Sequence, residues 1–274
     1  MTGLRRWGGY LAVVIVFAVA CGLLSWWQWA RRAEAVAEID RVAANYDATP
    51  VPVDEVLPAL DSWELDDRWL PVRLTGQYLP EDQLLVRNRP YDGRSGFEVL
   101  VPFRLDDGRV FVIDRGWLPV GSSIDAPDEV PDPPSGQVTV VARLKQGEPE
   151  LPGRSAPEGQ LATIHLPSVA ELTGPQTFTG AYGLLAAEQP APAEAPPAPA
   201  LKPKADEGPH LSYALQWIAF GVLAFVALFW AFRRERRIAA LPESEQAAAR
   251  APRRRSDDAD FEDAVLDSRG STRD

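Results

Sequence analysis

His210-Leu211-Ser212-Tyr213-Ala214-Leu215-Gln216-Trp217 begins a run that carries no charged residue until Arg233-Arg234-Glu235-Arg236-Arg237 closes it. A helical residue rises ~1.5 Å, so the apolar stretch 211–232 covers about 33 Å, enough to cross the ~30 Å hydrocarbon core of a bilayer. The same signature stands at the other end of the chain, where Trp7 to Ala30 is apolar and bracketed by Arg5-Arg6 and Arg31-Arg32. The fold class that follows is a membrane protein: two transmembrane α-helices, 7–30 and 210–232, flanking a polar, turn-rich domain.

Orientation is decided by the second span. Lys and Arg close to a span are retained on the cytoplasmic side, and the cluster Arg233 to Arg237 has no counterpart before His210. The first span has two arginines on each flank and does not discriminate. With two crossings, both termini are expected in the cytoplasm and residues 31–209 outside it.

The charge balance fits that layout. The chain carries a formal net charge of −11, and residues 31–210 alone hold 16 Lys/Arg against 29 Asp/Glu. An acidic outer domain excludes nucleic acid as a partner, because phosphates demand the opposite sign, and it disfavours adsorption to anionic lipid. The single cysteine, Cys21, lies inside the first span, so no disulfide within the chain is possible. Val19-Ala20-Cys21 loosely resembles a lipoprotein signal, but Gly22 to Ala30 stays apolar and tryptophan-rich where a mature lipoprotein would turn polar. A cleavable signal peptide is disfavoured by the length of the apolar run and by the lack of a small-residue cleavage pattern at its end.

Trp26, Trp27 and Trp29 suit an aromatic belt at the outer headgroup level. The polar continuation through residues 31–48 reads as a juxtamembrane helix ended by Thr49-Pro50, and 52–60 as a short helical turn. Residues 49–185 then form the outer domain. Strands are predicted over 68–79, 83–88, 96–103, 110–113, 137–144, 161–166 and 177–185, with a short helix at 167–172. Asp92-Gly93 and Asp106-Asp107-Gly108 are tight-turn sequences, the second joining 96–103 to 109–114 as a hairpin. The expectation is an extracytoplasmic α+β domain dominated by an antiparallel sheet, whose closure into a barrel the pattern allows without fixing. Residues 186–209, rich in Pro and Ala, read as an extended spacer, and 233–274 as the basic cluster followed by a disordered cytoplasmic tail.

His210, Tyr213 and Trp217 fall at i, i+3 and i+7, on one face of the second span near its outer end. An imidazole there can ligate a haem iron and the aromatics can pack on a porphyrin; the same three residues also serve as interfacial anchors, and spacing does not choose between these. Catalysis has no support. The only histidines are His165 and His210, no His/Cys/Asp cluster has metal-ligand spacing, and no nucleophile-elbow sequence accompanies His165. Soft ligands for copper are lacking outside the membrane. Arg87 and Arg89, on one face of a strand, suit haem propionates or the domain's own carboxylates. Arg115-Gly116-Trp117-Leu118-Pro119 reads as a strand end with a bend and an aromatic core anchor.

Six motifs occur in order: Trp27-Gln28-Trp29-Ala30-Arg31; Val72-Arg73-Leu74-Thr75-Gly76-Gln77-Tyr78; Leu85-Val86-Arg87-Asn88-Arg89-Pro90; Gly96-Phe97-Glu98-Val99-Leu100-Val101-Pro102-Phe103; Val112-Ile113-Asp114-Arg115-Gly116-Trp117-Leu118-Pro119; and His210 to Trp217. Together they resemble the Surfeit locus protein family of cytochrome c oxidase assembly factors, over about residues 20–235. The resemblance implies a non-catalytic factor for haem-copper oxidase that assists delivery of haem a to the catalytic subunit or its insertion there. It implies haem a as the transiently bound group and His210 as a haem-iron ligand, with Tyr213 matching the family's aromatic three residues on and Trp217 completing the face. The implied partners are the oxidase subunits, above all the haem-bearing one, and the haem a synthesis enzyme. The residues by themselves keep another class open: a membrane-anchored interaction or sensor module without cofactor. The long Pro-rich 186–204 segment and the tail after Arg237 depart from the family pattern.

Overall fold

A computed structural model describes residues 2–122 and 126–250. In chain order its elements are α1 (Thr2–Asn45), β1 (Val51–Pro52), α2 (Val53–Val56), β2 (Pro71–Tyr78), β3 (Leu84–Tyr91), β4 (Arg94–Leu105), β5 (Val110–Pro119), β6 (Val138–Gln146), β7 (Gln160–Leu161), α3 (Leu166–Thr173), β8 (Ala181–Gln189), α4 (His210–Ala239) and α5 (Glu243–Arg250). Two compact units result. One comprises Met1–Arg32 with Gly208–Asp274, the other Ala33–Glu207.

In the first unit, α1 and α4 are both long and apolar enough to cross a membrane. Their seam is made of small residues: Cys21 and Ser25 on α1, Ala214 and Gly221 on α4, all buried. A Cβ placed on Gly221 would lie 3.6 Å from that of Cys21, so the helices approach closely, as small residues permit. Away from the seam the large apolar side chains point outward, Val13, Leu23, Trp26 and Trp230 among them. That surface suits hydrocarbon rather than water. The short helix α5 falls in the stretch expected to be disordered; residues 251–274 lie outside the described residues.

The second unit is built on a sheet that closes on itself. β2 pairs with β6, β6 with β8, β8 with β5, β5 with β4, and β4 returns to β2 through Gly76↔Leu105, Gln77↔Arg104 and Tyr78↔Phe103. The domain is therefore a barrel, with β3 and β7 continuing from β4 and β1 beside β2. The sheet is mixed rather than purely antiparallel, because β8 follows a crossover through α3 and runs parallel to β5. Alternation along the strands sorts the apolar side chains by period two. Val72, Leu74, Val101, Phe103, Phe111 and Val140 fill the interior. Leu100, Val112, Tyr182 and Leu184 face outward beneath Leu166 and Val169 of α3 and Val42 of α1.

Several boundaries differ from those read in the sequence. The run 161–166 is a strand only at Gln160–Leu161; Ile164 and Leu166 are buried, but Pro167 stands at the start of α3 and turns the chain into a helix. The last strand begins at Ala181 instead of 177, since the N–H groups of Thr179 and Gly180 both go to the Leu60 carbonyl. It then runs on through Gln189, taking the first residues of the expected spacer. The rest of that segment is docked as well. Ala198 exchanges two backbone hydrogen bonds with Trp117, of 2.8 and 2.9 Å, Ala200 packs on the outer core, and the Lys202 ammonium lies 2.6 Å from an Asp47 oxygen. The C-terminal turns of α1 also join this unit: Val42 and Tyr46 are buried in it, and Glu38 accepts from the Trp69 indole at 2.8 Å and from Arg68. The compact unit thus spans more than 49–185.

Candidate functional site

His210 is the first residue of α4, where Pro209 has no N–H to give and the chain enters the helix. Its Nδ1 lies 2.9 Å from Oε1 of Gln28 on α1. An amide oxygen only accepts, so the contact calls for a proton on Nδ1, and in the neutral ring Nε2 then carries the lone pair. That is the tautomer of a ligating histidine, whose other nitrogen is commonly held by a carbonyl oxygen. The imidazole and Gln28 are half-buried; Trp217, seven residues along α4, is half-buried and meets Phe220 edge-to-face with centroids 5.8 Å apart. Tyr213 is 47% exposed, and its phenol has no hydrogen bond among the described residues. Of the three residues read from spacing, His210 and Trp217 therefore flank the helix seam and Tyr213 faces away from it. Gln28 falls within the motif Trp27-Gln28-Trp29-Ala30-Arg31, but nothing in the spacing of one helix names its partner on another.

His165 belongs to the barrel unit, where its Nδ1 is 2.7 Å from Ser168 Oγ on α3. Arg89 is claimed by the domain's own carboxylates: its Nη1 and Nη2 reach Glu148 at 3.0 and 2.7 Å, and its Nε reaches Glu98. Burial works against ionised Glu148, but Arg89 and the Ile164 N–H outweigh it and hold its pKa below the usual value. Trp117 is the aromatic anchor its motif suggested. Its indole N–H donates to the Arg89 carbonyl at 2.8 Å, Tyr91 stacks on it at 5.0 Å, and Arg94 covers it at 5.3 Å.

Beside Trp117 lies a cavity of about 190 Å³ lined by Trp69, Glu98, Asp114, Lys145, Ala200 and others. Asp114 is 2% exposed and accepts one hydrogen bond, from the Gly116 N–H at 3.0 Å. Burial, and then the neighbouring Glu98 charge, push its pKa well up, against weaker opposition from that N–H, Lys145 and Arg89. The sequence signal for Asp114 is a lone carboxylate following the apolar run Val110 to Ile113. Among the described residues no group of three or more His, Cys, Asp or Glu could hold a metal ion.

Residues 15–222 match the family model described as the SURF1 family. The chain belongs to the SURF1 family. The match takes in most of the apolar part of α1, the whole barrel domain and the first turns of α4 with His210, and stops before Arg233. Among similar proteins, an uncharacterized SURF1-like protein of Mycobacterium tuberculosis is 38% identical over 229 residues, covering 81% of this chain and 82% of its own. A SURF1-like protein of Rickettsia bellii is 22% identical over 169 residues, 60% of this chain and 66% of its own. The yeast protein named cytochrome oxidase assembly protein SHY1 is 27% identical over 122 residues, 42% of this chain and 30% of its own.

Proposed function

We propose that this SURF1 family protein is an assembly factor for a haem-copper cytochrome c oxidase, and that it holds haem a at His210 as cargo for the catalytic subunit. In this reading α1 and α4 cross the bacterial cell membrane, both termini are cytoplasmic, and the barrel lies outside. The observation that carries it is the hydrogen bond from His210 Nδ1 to Gln28, which leaves Nε2 free to coordinate iron. Trp217 offers an indole and Tyr213 an exposed phenol on neighbouring positions of the same helix. The yeast relative's name supports the oxidase half of the reading. His165 lies at the start of α3 in the barrel unit rather than on either span, so the reading is one-histidine ligation, or a second axial ligand from another chain, the haem-bearing subunit or the haem a synthesis enzyme being the natural donors.

The test is the absorption spectrum of full-length protein purified from cells that make haem a. Wild type and His165→Ala should show a Soret band and His210→Ala should lose most of it. Equal haem in wild type and His210→Ala, or none in either, leaves a membrane-anchored protein-interaction module. Separately, deletion of the gene should lower haem a absorbance and cytochrome c oxidase activity in membranes while sparing b-type cytochromes; unchanged oxidase in a strain with no second copy removes the oxidase assignment.

A further inference from the structure

At the end of the helix pair remote from His210, where Trp7 meets Phe232 edge-to-face, α1 and α4 border a recess of about 940 Å³. The recess is an open groove along the surface of the helix pair, so what occupies it is decided by the chemistry of its wall and mouth. Its long wall is apolar: Val14 on α1 faces Ala224, Ala227, Leu228 and Ala231 on α4. The three alanines sit at i, i+3 and i+7, so one face of α4 is shaved down along two turns. The mouth is charged, formed by Arg6, Arg234 and Glu235, of which Arg6 and Glu235 pair with each other. Arg234 also lines an adjoining recess of about 220 Å³ with Arg233, Arg237, Phe229 and Trp230.

The charges decide what fits. This end of the pair carries Arg5, Arg6, Arg233, Arg234, Arg236 and Arg237, and Glu235 is the one acidic residue between positions 208 and 242. A second copy of the chain would bring the same excess of positive charge into contact with it. A molecule with an anionic head and a hydrocarbon tail matches both the mouth and the wall, and basic pockets between transmembrane helices on the cytoplasmic side are where anionic headgroups bind. We propose that the recess binds one anionic phospholipid, its phosphodiester at Arg234 and Arg6 and an acyl chain along Ala224, Ala227 and Ala231. The inference rests on the reading of α1 and α4 as membrane spans and is independent of haem.

The experiment uses full-length protein in nanodiscs of phosphatidylcholine with one-fifth phosphatidylglycerol, followed by native mass spectrometry of the lipids that remain bound. Wild type should retain one phosphatidylglycerol in preference to phosphatidylcholine. Arg6→Gln and Arg234→Gln should each weaken that preference about fivefold. Ala227→Leu, which fills the trough and leaves every charge in place, should weaken it by a similar factor, whereas Arg236→Gln, outside the recess, should leave it unchanged. Indifference to Ala227→Leu, or an equal loss with Arg236→Gln, overturns the site in favour of diffuse attraction to a basic surface. Retention of a second protein copy in place of lipid overturns it in favour of a helix interface. Protein that enters nanodiscs without lipid preference refutes the site alone, while protein released from membranes by alkaline carbonate refutes the membrane reading and the site together.

Discussion

Gly76 and Arg104 meet where the barrel closes: Gly76 in β2 pairs with both Val138 and Leu105, and a Cβ on it would run into the Arg104 carbonyl oxygen. Backbone on a neighbouring strand cannot retreat without breaking the ladder that completes the ring. Gly76→Ala should therefore cost about 3 kcal/mol and Gly76→Glu should abolish accumulation of the folded protein. Gly22→Ala, at a helix position with no neighbour within 4 Å of the added carbon, is the control and should be neutral or mildly stabilising. Immunoblots of membranes and protease resistance measure both; normal abundance of Gly76→Glu with lost function would mean the glycine belongs to a contact surface.

Gly116 holds a second tight passage. Its φ is 129°, and a Cβ there would strike the carbonyls of Ala198 and Pro197, the segment that bridges to Trp117. Gly116→Ala should cost about 1–3 kcal/mol and undock 197–202. The readout is limited proteolysis: cleavage between 190 and 207 should accelerate while the barrel core stays resistant, and unchanged cleavage would show that the segment is held from elsewhere.

How much of this was legible can be argued from particular residues. The barrel strands were, because Val72, Leu74, Val99, Val101 and Val140 alternate with polar or outward residues and Asp92-Gly93 and Asp106-Asp107-Gly108 punctuate them. Closure was not, because the β2–β4 pairing depends on a glycine whose role is steric and whose partner, Leu105, is 29 positions away. The docked 197–202 segment was hidden by composition: Pro and Ala forecast an extended chain, which it is, but two backbone hydrogen bonds to Trp117 carry no side-chain signal. At the candidate site, the spacing on α4 could place His210, Tyr213 and Trp217 on a face but could not supply Gln28, since a contact between two distant helices has no periodicity.

Asp114 sets a pH dependence with a definite sign. Its folded-state pKa is raised above the usual value for an aspartate, so its contribution to stability is complete below that usual value and is lost as pH rises through the raised folded one. Glu38 and Glu148 have lowered values and act oppositely, losing stability as pH falls through them, but they are common to wild type and variant. Asp114→Asn keeps an acceptor for the Gly116 N–H and removes the ionisation. Its thermal midpoint should equal or fall slightly below wild type near pH 4 and exceed it increasingly as pH rises from there. Parallel midpoints across that range would show that the carboxyl is not held neutral.

The two apolar helices and the arginine cluster after Phe232 predict both termini inside the cell. Reporters fused before Arg5 and after Asp274 should register as cytoplasmic. One inserted after Ala193, in the exposed stretch before the docked residues, should register as extracytoplasmic. Cys21, buried against Gly221, should carry no lipid, so Cys21→Ser should leave mass and membrane attachment unchanged. An extracytoplasmic C-terminus or a diacylglycerol adduct on Cys21 would overturn the layout.

Gln28 is the residue that separates a ligand site from an interfacial anchor. If His210 only anchors the helix at the headgroups, removing its partner on α1 should cost no more than one hydrogen bond, about 1 kcal/mol, and should leave any bound pigment untouched. If His210 ligates through Nε2, Gln28 fixes the tautomer and the ring plane, and such supporting residues are worth about 10–100-fold in ligand affinity. Gln28→Leu should then weaken haem retention by that factor, short of the loss in His210→Ala. Gln28→Glu keeps an acceptor at the same distance and should restore retention while making the imidazole a stronger donor. Haem titrations of the purified variants, with the position of the Soret band recorded at saturation, measure both effects. Equal retention in wild type, Gln28→Leu and Gln28→Glu would detach the 2.9 Å contact from haem binding and leave it as helix packing.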